Sequence, residues 1–446
     1  MKIKKPISKI EHGNFRIKKN TLEWVFIVFL TLFSFLSTST LLVSLFILLI
    51  FLRQREIGAI KIVNIITLRT IINPGIAVDI GNLQYLKWII LFGCSLYLLL
   101  SFNKLEKNEI KKIKWILSPL FLFVVYNIFV ALVFSSLPIV SIFKLLSYAV
   151  IFSGILIGVG YTFKSYDWLK WMVTMFKLII IFSFLIIPFP VSYLRNGSSF
   201  QGITNNPNMF GVLAVLFIAI FLSYFQINKN KQKLYSLISL FLSLVTLLMI
   251  FLSKSRTALI SCLVLLFIYI IFVNCNKLLK IIIVNFSGIA VILIILGTNV
   301  INFLTEFLYK GQEKGNILYS RTNQIENSLS NFMDNPWFGN GFAVPVLPYK
   351  SYIFSAEFIV EPGNLVLSVL SYSGIFGFLL FLSYITRVFL VNKSNFKYSC
   401  FLPLATILIS MGEMVFFSSN NIGIWCYMFI ALYVLIDARK PVVNER

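Results

Sequence analysis

Apolar runs long enough to cross a bilayer recur along the whole 446-residue chain. A crossing helix takes about 17–25 predominantly apolar residues, and stretches such as 207–226 and 256–273 meet that length. Divided at its polar breaks, the chain holds fourteen candidate crossings: 21–37, 38–52, 57–72, 86–102, 115–135, 139–160, 171–187, 207–226, 235–252, 256–273, 279–298, 364–386, 398–417 and 422–437. These runs lack the period-2 alternation of a membrane barrel strand. Helices are then the way left to satisfy the backbone inside hydrocarbon. Composition agrees. Hydrophobic residues make up 59%, charged residues 12%, and mean hydropathy is +0.90, whereas a soluble domain carries about 25% charged residues. The sequence predicts an all-α polytopic membrane protein.

The beginning reads two ways. Residues 21–52 form either a tight hairpin around Ser37-Thr38-Ser39-Thr40 or one long tilted helix. In the second case 57–72 lies at the interface and the fourteen crossings become twelve. The direction of everything after residue 102 is the same in both.

The formal charge of +23 excludes less than it suggests, because the 39 Lys and Arg are scattered in short bursts between apolar runs. A nucleic-acid surface would gather them on one folded face, so no nucleic-acid partner is expected. With the N-terminus inside, 28 of the 39 fall in cytoplasmic segments and seven in outer loops. That bias places both termini in the cytoplasm. The organisation expected is a basic tail (1–20), a first set of crossings (21–298), one large extracytoplasmic loop (299–363), and a last set with the C-terminal tail (364–446). No small-residue cleavage site follows the first apolar run, so no cleaved leader is expected. The five cysteines, Cys94, Cys262, Cys275, Cys400 and Cys426, are odd in number, form no CxxC pair and lie in or beside apolar runs. They read as reduced fillers of helix interfaces.

The large loop is chemically unlike the rest. Its 65 residues hold four Lys/Arg and six Asp/Glu, for a formal charge of −2. It contains SLSNFMDNPWFGNGF and YKSYIFSAEFIVEPGN, which are too aromatic for a disordered segment. Several ordinary catalytic kits are missing. The single histidine, His12, lies in the basic tail, and the four aspartates, Asp79, Asp167, Asp334 and Asp437, are far apart in sequence. No Ser-His-Asp triad, His/Cys metal cluster or phosphate-binding glycine loop is present. Neither a metal nor another cofactor is expected, and chemistry would fall to Arg, Lys, Glu, Tyr and backbone groups.

Four places stand out. Ser253-Lys254-Ser255-Arg256-Thr257 puts two cations in a very short outer loop that opens the helix at 256. Exposed N–H groups at a helix start, a serine cap and an arginine fork together suit an anion, although Arg256 would also suit lipid headgroups. Gly202-Ile203-Thr204-Asn205-Asn206-Pro207-Asn208 precedes the helix at 207 and reads first as a cap. Arg321 opens a short helix over 321–333, followed by Asn335-Pro336-Trp337-Phe338-Gly339-Asn340-Gly341. Trp337 fits either a sugar face or the aromatic belt. Glu361-Pro362-Gly363-Asn364 precedes the helix at 364, which carries Gly374-Ile375-Phe376-Gly377. Its carboxylate fits dipole compensation or a base at the membrane surface. Glu413, expected inside helix 398–417, is an intramembrane carboxylate and so a functional candidate.

The order and spacing of these motifs over about residues 195–390 resemble the bacterial O-antigen ligase/polymerase family. The resemblance rests on G-x-x-x-N-P-N at 202–208, S-R-T at 255–257, Arg321 with N-P-W-F-G-N-G at 335–341, and E-P-G-N with the following G-I-F-G. It implies a bacterial cytoplasmic-membrane enzyme that moves glycans off polyprenyl-pyrophosphate carriers on the outer face. Chain-length regulator and flippase proteins are the partners it implies. Family ligases carry a histidine where Gly363 stands, beside Asn364; repeat-unit polymerases often have a carboxylate nearby, as Glu361 is. The expected function is therefore polymerisation of carrier-linked repeat units, with Arg256 and Arg321 on the leaving pyrophosphate and Glu361 as base. Lys254, Ser255, Asn208, Trp337, Asn364, Glu413 and Arg195 are expected in substrate binding, although Arg195 lies farther from its glycine than the family pattern has it. The alternatives are a ligase acting on a lipid or protein acceptor and a flippase for lipid-linked oligosaccharide.

The orientation is testable by cysteine labelling. A Lys314→Cys variant, in a background without the native cysteines, is expected to react with an impermeant thiol reagent in intact cells. Labelling only after lysis would invert the assignment.

Overall fold

A computed structural model describes residues 19–195, 197–228, 233–272, 322–344 and 363–437. Among them the secondary structure is helical apart from turns and one isolated bridge, Ile72 to Thr204. The helices are α1 (Lys19–Phe33), α2 (Thr38–Leu48), α3 (Glu56–Thr70), α4 (Gln84–Leu99), α5 (Lys107–Val133), α6 (Pro138–Thr162), α7 (Trp168–Leu185), α8 (Pro207–Ile227), α9 (Lys233–Leu252) and α10 (Arg256–Phe272). After the first part of the large loop come α11 (Thr322–Asp334), α12 (Leu365–Val391), α13 (Phe396–Ser399), α14 (Phe401–Ser410) and α15 (Gly423–Leu435).

Among the described residues, six spans are long and apolar enough to cross a membrane: Gln84–Lys104, Lys107–Val133, Pro138–Thr162, Trp168–Leu185, Pro207–Ile227 and Leu365–Val391. Shorter apolar helices accompany them. This is a multi-pass helical membrane protein. The count of fourteen is not reached on these criteria, and the expected crossing at 279–298 lies outside the described residues.

Residues 21–52 are two helices rather than one tilted helix. The chain turns at 34–37, where Ser37 and Thr40 form a reciprocal capping box: Thr40 N donates to Ser37 Oγ over 3.2 Å and Ser37 N to Thr40 Oγ1 over 2.9 Å. Such a box satisfies two orphan donors at a helix start. Nor does α3 lie along a surface. Most of its residues are buried, and the buried Lys61 ammonium is held by Glu23 at 2.7 Å and Gln54 at 2.8 Å.

Small residues set the closest helix contacts, as expected where lipid offers no hydrophobic drive to association. A Cβ on Gly154 of α6 would stand 2.6 Å from the Ser95 carbonyl oxygen of α4. The centre of the bundle is aromatic. Every residue of α15 is buried; Trp425 meets Phe176 at 5.1 Å and Tyr427 meets Tyr148 at 5.5 Å between ring centroids. Cys94, Cys262, Cys400 and Cys426 are buried free thiols, in keeping with interface filling.

The expected helix over 398–417 is corrected. α14 stops at Ser410 and residues 411–422 form an irregular connection to α15, so Glu413 is not inside a helix. Gly412 weakens the helix at this point, and the Met411 carbonyl is taken by the Asn364 amide at 3.3 Å instead of continuing a ladder.

Candidate functional site

Three helix starts meet beside this connection. At α8, Asn206 is extended and its side chain accepts the Asn208 N–H over 2.8 Å, with Pro207 in the first helical position. At α12, Asn364 accepts from Val366 N at 2.9 Å and Leu367 N at 3.2 Å. α10 follows a three-residue connection, 253–255, in which Lys254 takes φ +54°, and the Ser255 carbonyl accepts the first helical bond from Leu259 N at 3.1 Å.

Glycines allow the starts to close on one another. A Cβ on Gly211 of α8 would stand 2.5 Å from Ser255 Oγ, so the buried Ser255 fills the space over that glycine. A Cβ on Gly412 would stand 2.1 Å from Thr257 Oγ1, which presses the 411–413 segment onto the first turn of α10. A Cβ on Gly363 would be 2.8 Å from Gln324 Oε1 of α11 and 3.6 Å from the Gly412 carbonyl oxygen. Across the same junction, Asn208 Nδ2 donates to Glu413 Oε1 over 2.8 Å.

The electrostatics follow from this geometry. Each helix start carries roughly half a positive elementary charge. Side-chain caps already take some of the donors, so attraction for an anion rests on three converging dipoles together with Arg256, the first residue of α10. Among the described residues no group of three or more His, Cys, Asp or Glu gathers as metal ligands.

Asn335-Pro336-Trp337-Phe338-Gly339-Asn340-Gly341 proves to be a clasp. α12 breaks at Gly374, with φ +60° and ψ −166°, a region open essentially to glycine. The turn after α11 binds the backbone groups around the break. Asn340 N donates to Ser371 O at 3.1 Å and Gly341 N to Tyr372 O at 3.0 Å, while Ile375 N donates to Pro336 O at 2.8 Å. Neither Gly339 nor Gly374 has room for a side chain; their added Cβ atoms would lie 2.4 Å from Ser373 N and 2.3 Å from the Trp337 carbonyl carbon. From below, Ser373 Oγ donates to Asn127 Oδ1 at 2.7 Å and Tyr126 donates to the Ser373 carbonyl at 2.9 Å. The clasp anchors α11, and Gln324 of α11 reaches Gly363 at the three-helix junction.

The expected site residues sort as follows. Asn208, Ser255, Asn364 and Glu413 come together at the junction where Arg256 opens α10, and Lys254 stands in the turn just before it. Trp337 is 53% exposed, with its ring 5.6 Å from that of Phe376. Arg195 lies on an exposed turn, its backbone N–H donating to Gln201 at 3.2 Å. Among the described residues no contact joins it to the junction. Arg321 and Glu361 lie outside the described residues, next to the start of α11 and two positions before Gly363. Sequence reasoning missed Gly211, Gly412 and Gln324. The signal for the glycines was present, since a lone glycine in an apolar run often marks close backbone approach.

Residues 240–382 match a family model described as O-Antigen ligase. The matched segment includes α10, the large loop and the clasp, and over it the chain is similar to O-antigen ligases. No curated protein shows significant similarity to it.

The clasp makes a stability prediction. Gly374→Ala forces a Cβ against the Trp337 backbone in a glycine-only conformation, at a cost of about 3 kcal/mol or more. The purified variant is expected to unfold at a lower temperature than wild type in the same detergent. An unchanged midpoint would contradict the clasp.

Proposed function

We propose that this membrane protein, whose residues 240–382 match the O-antigen ligase model, polymerises oligosaccharide repeat units carried on polyprenyl pyrophosphate at the outer face of the bacterial cytoplasmic membrane. The donor's anomeric carbon–oxygen bond breaks and the pyrophosphate leaves on its carrier. A hydroxyl of a second carrier-linked unit forms the new glycosidic bond and gives up its proton to a base.

The observation that carries this reading is the junction of three helix starts around residues 411–413, with Arg256 opening one of them. A leaving pyrophosphate accumulates negative charge, and preorganised donors aimed at developing charge are worth about 3–4 kcal/mol each. Arg256 and Arg321 take that role; Arg321 immediately precedes α11, whose Gln324 reaches the junction through Gly363. Glu361, two residues before Gly363, accepts the acceptor's proton. Lys254, Ser255, Asn208, Asn364, Trp337 and Arg195 contribute to glycan and phosphate binding, and no metal is required.

The second reading is a ligase, which the description of the matched family favours. Against it stands Gly363. Family ligases resemble one another in placing a histidine at the position that Gly363 occupies here. The match to an enzyme family leaves the flippase reading without support.

Reconstitution of the purified protein with a carrier-linked repeat unit tests the proposal. Longer carrier-linked glycan is expected; transfer only to a foreign lipid or protein acceptor would make it a ligase. Arg256→Lys keeps charge but loses the bidentate fork and is expected to be severely impaired, whereas Arg256→Ala and Arg321→Ala lose both and are each expected to lower turnover about 100-fold or more. Glu361→Gln is expected to stop chain growth while sparing carrier binding. Chelator-treated enzyme is expected to keep its activity, and a loss restored by magnesium would contradict the arginine-based mechanism.

A further inference from the structure

Three helix starts brought together repel one another unless a negative charge sits among them. Around residues 411–413 the first turns of α8 and α10 and the cap of α12 are all in contact with one short segment. Asn208 reaches Glu413, Thr257 abuts Gly412, and Asn364 holds the Met411 carbonyl. Arg256 stands one position before Thr257 and adds a full positive charge. Among the described residues, the carboxylate hydrogen-bonded into this junction is that of Glu413. Its place is set from two sides. Gly412 cannot move outward without meeting Thr257, whose Oγ1 lies 2.1 Å from where a Cβ would be, and Oε1 is fixed by the Asn208 amide at 2.8 Å.

We propose that Glu413 is the resident counter-anion of this site, a positioning residue that holds the starts of α8 and α10 together while the site is empty and opposes the substrate's pyrophosphate when it enters. That the natural anion is a carrier pyrophosphate rests on the glycan-transfer reading; the charge balance does not. This role differs from hydrogen bonding to a sugar, and it has a consequence for turnover. Cleavage of the anomeric carbon–oxygen bond leaves a terminal phosphate with one more ionisable oxygen than the substrate had. The product is therefore the more anionic species, and a fixed carboxylate repels it more strongly. Glu413 keeps a strongly attracting site from trapping its own product.

The sign of the effect separates this from a binding or merely structural role. The test is titration of polyprenyl pyrophosphate, and separately of inorganic pyrophosphate, into the purified full-length protein in detergent. Glu413→Gln keeps the side-chain shape and an acceptor for Asn208 but removes the charge, so both ligands are expected to bind at least about fivefold more tightly. Asn208→Asp places a second carboxylate there and is expected to weaken binding by a similar factor. Combining Asn208→Asp with Glu413→Gln exchanges amide and carboxylate and restores the formal charge, so affinity is expected within about twofold of wild type.

Unchanged or weaker binding in a Glu413→Gln protein with a wild-type unfolding midpoint would overturn the proposal, as would failure of the exchanged pair to recover. If Glu413→Gln does not fold, Asn208→Asp decides: weaker binding supports the proposal, and equal or tighter binding overturns it. Wild-type protein that binds inorganic pyrophosphate but not polyprenyl pyrophosphate would remove the carrier reading alone. Binding of neither would contradict both.

Discussion

In hydrocarbon a backbone group left without a partner costs several kcal/mol, so a membrane protein spends nearly all its polar groups inside its helices. Helix ends are where groups are left over, and where those ends are placed decides where chemistry is possible. In this chain the starts of α8, α10 and α12 are held against one short connection at 411–413. Asn206 and Asn364 cap their helices, Ser255 and Thr257 fill the gaps over Gly211 and Gly412, and Asn208 spans to Glu413. The proposed reaction is a use of that arrangement: leftover positive ends, joined by an arginine, facing an anion.

The helices themselves were legible, because long apolar runs bounded by polar residues have little else to become. Expected crossings at 115–135, 139–160, 171–187 and 207–226 correspond to α5, α6, α7 and α8 within a turn or two at most ends. The failure at 398–417 has a physical cause. Hydropathy is blind to a break when the residues on both sides are apolar, and Met411 and Met414 flank Gly412 and Glu413 without any polar run to mark the end of α14. The hairpin at 21–52 was ambiguous for the complementary reason. Ser37 and Thr40 are compatible with a helix interior, and only their reciprocal bonds show that they cap one.

The site was half legible. Arg256 and Asn208 could be picked out because each breaks a local rule, a cation in a tight outer turn or an asparagine beside a helix-opening proline. That they share a junction with Glu413, 205 positions from Asn208, has no sequence signature. The aromatic motif at 335–341 teaches the opposite lesson. Its order carries the resemblance to the family, yet its glycines and backbone bonds explain much of it as a clasp on the broken α12, and Trp337 is its most exposed residue, with surface to offer a glycan.

The central claim is that three helix starts act as one anion site, and deuterium exchange reads it at the helix starts themselves. Amides in the segments 208–212, 256–260 and 365–369 report the first turns of α8, α10 and α12. On saturation with polyprenyl pyrophosphate, exchange is predicted to slow in all three segments together. Slowing in one segment alone, or in none while the ligand is demonstrably bound, would contradict the account.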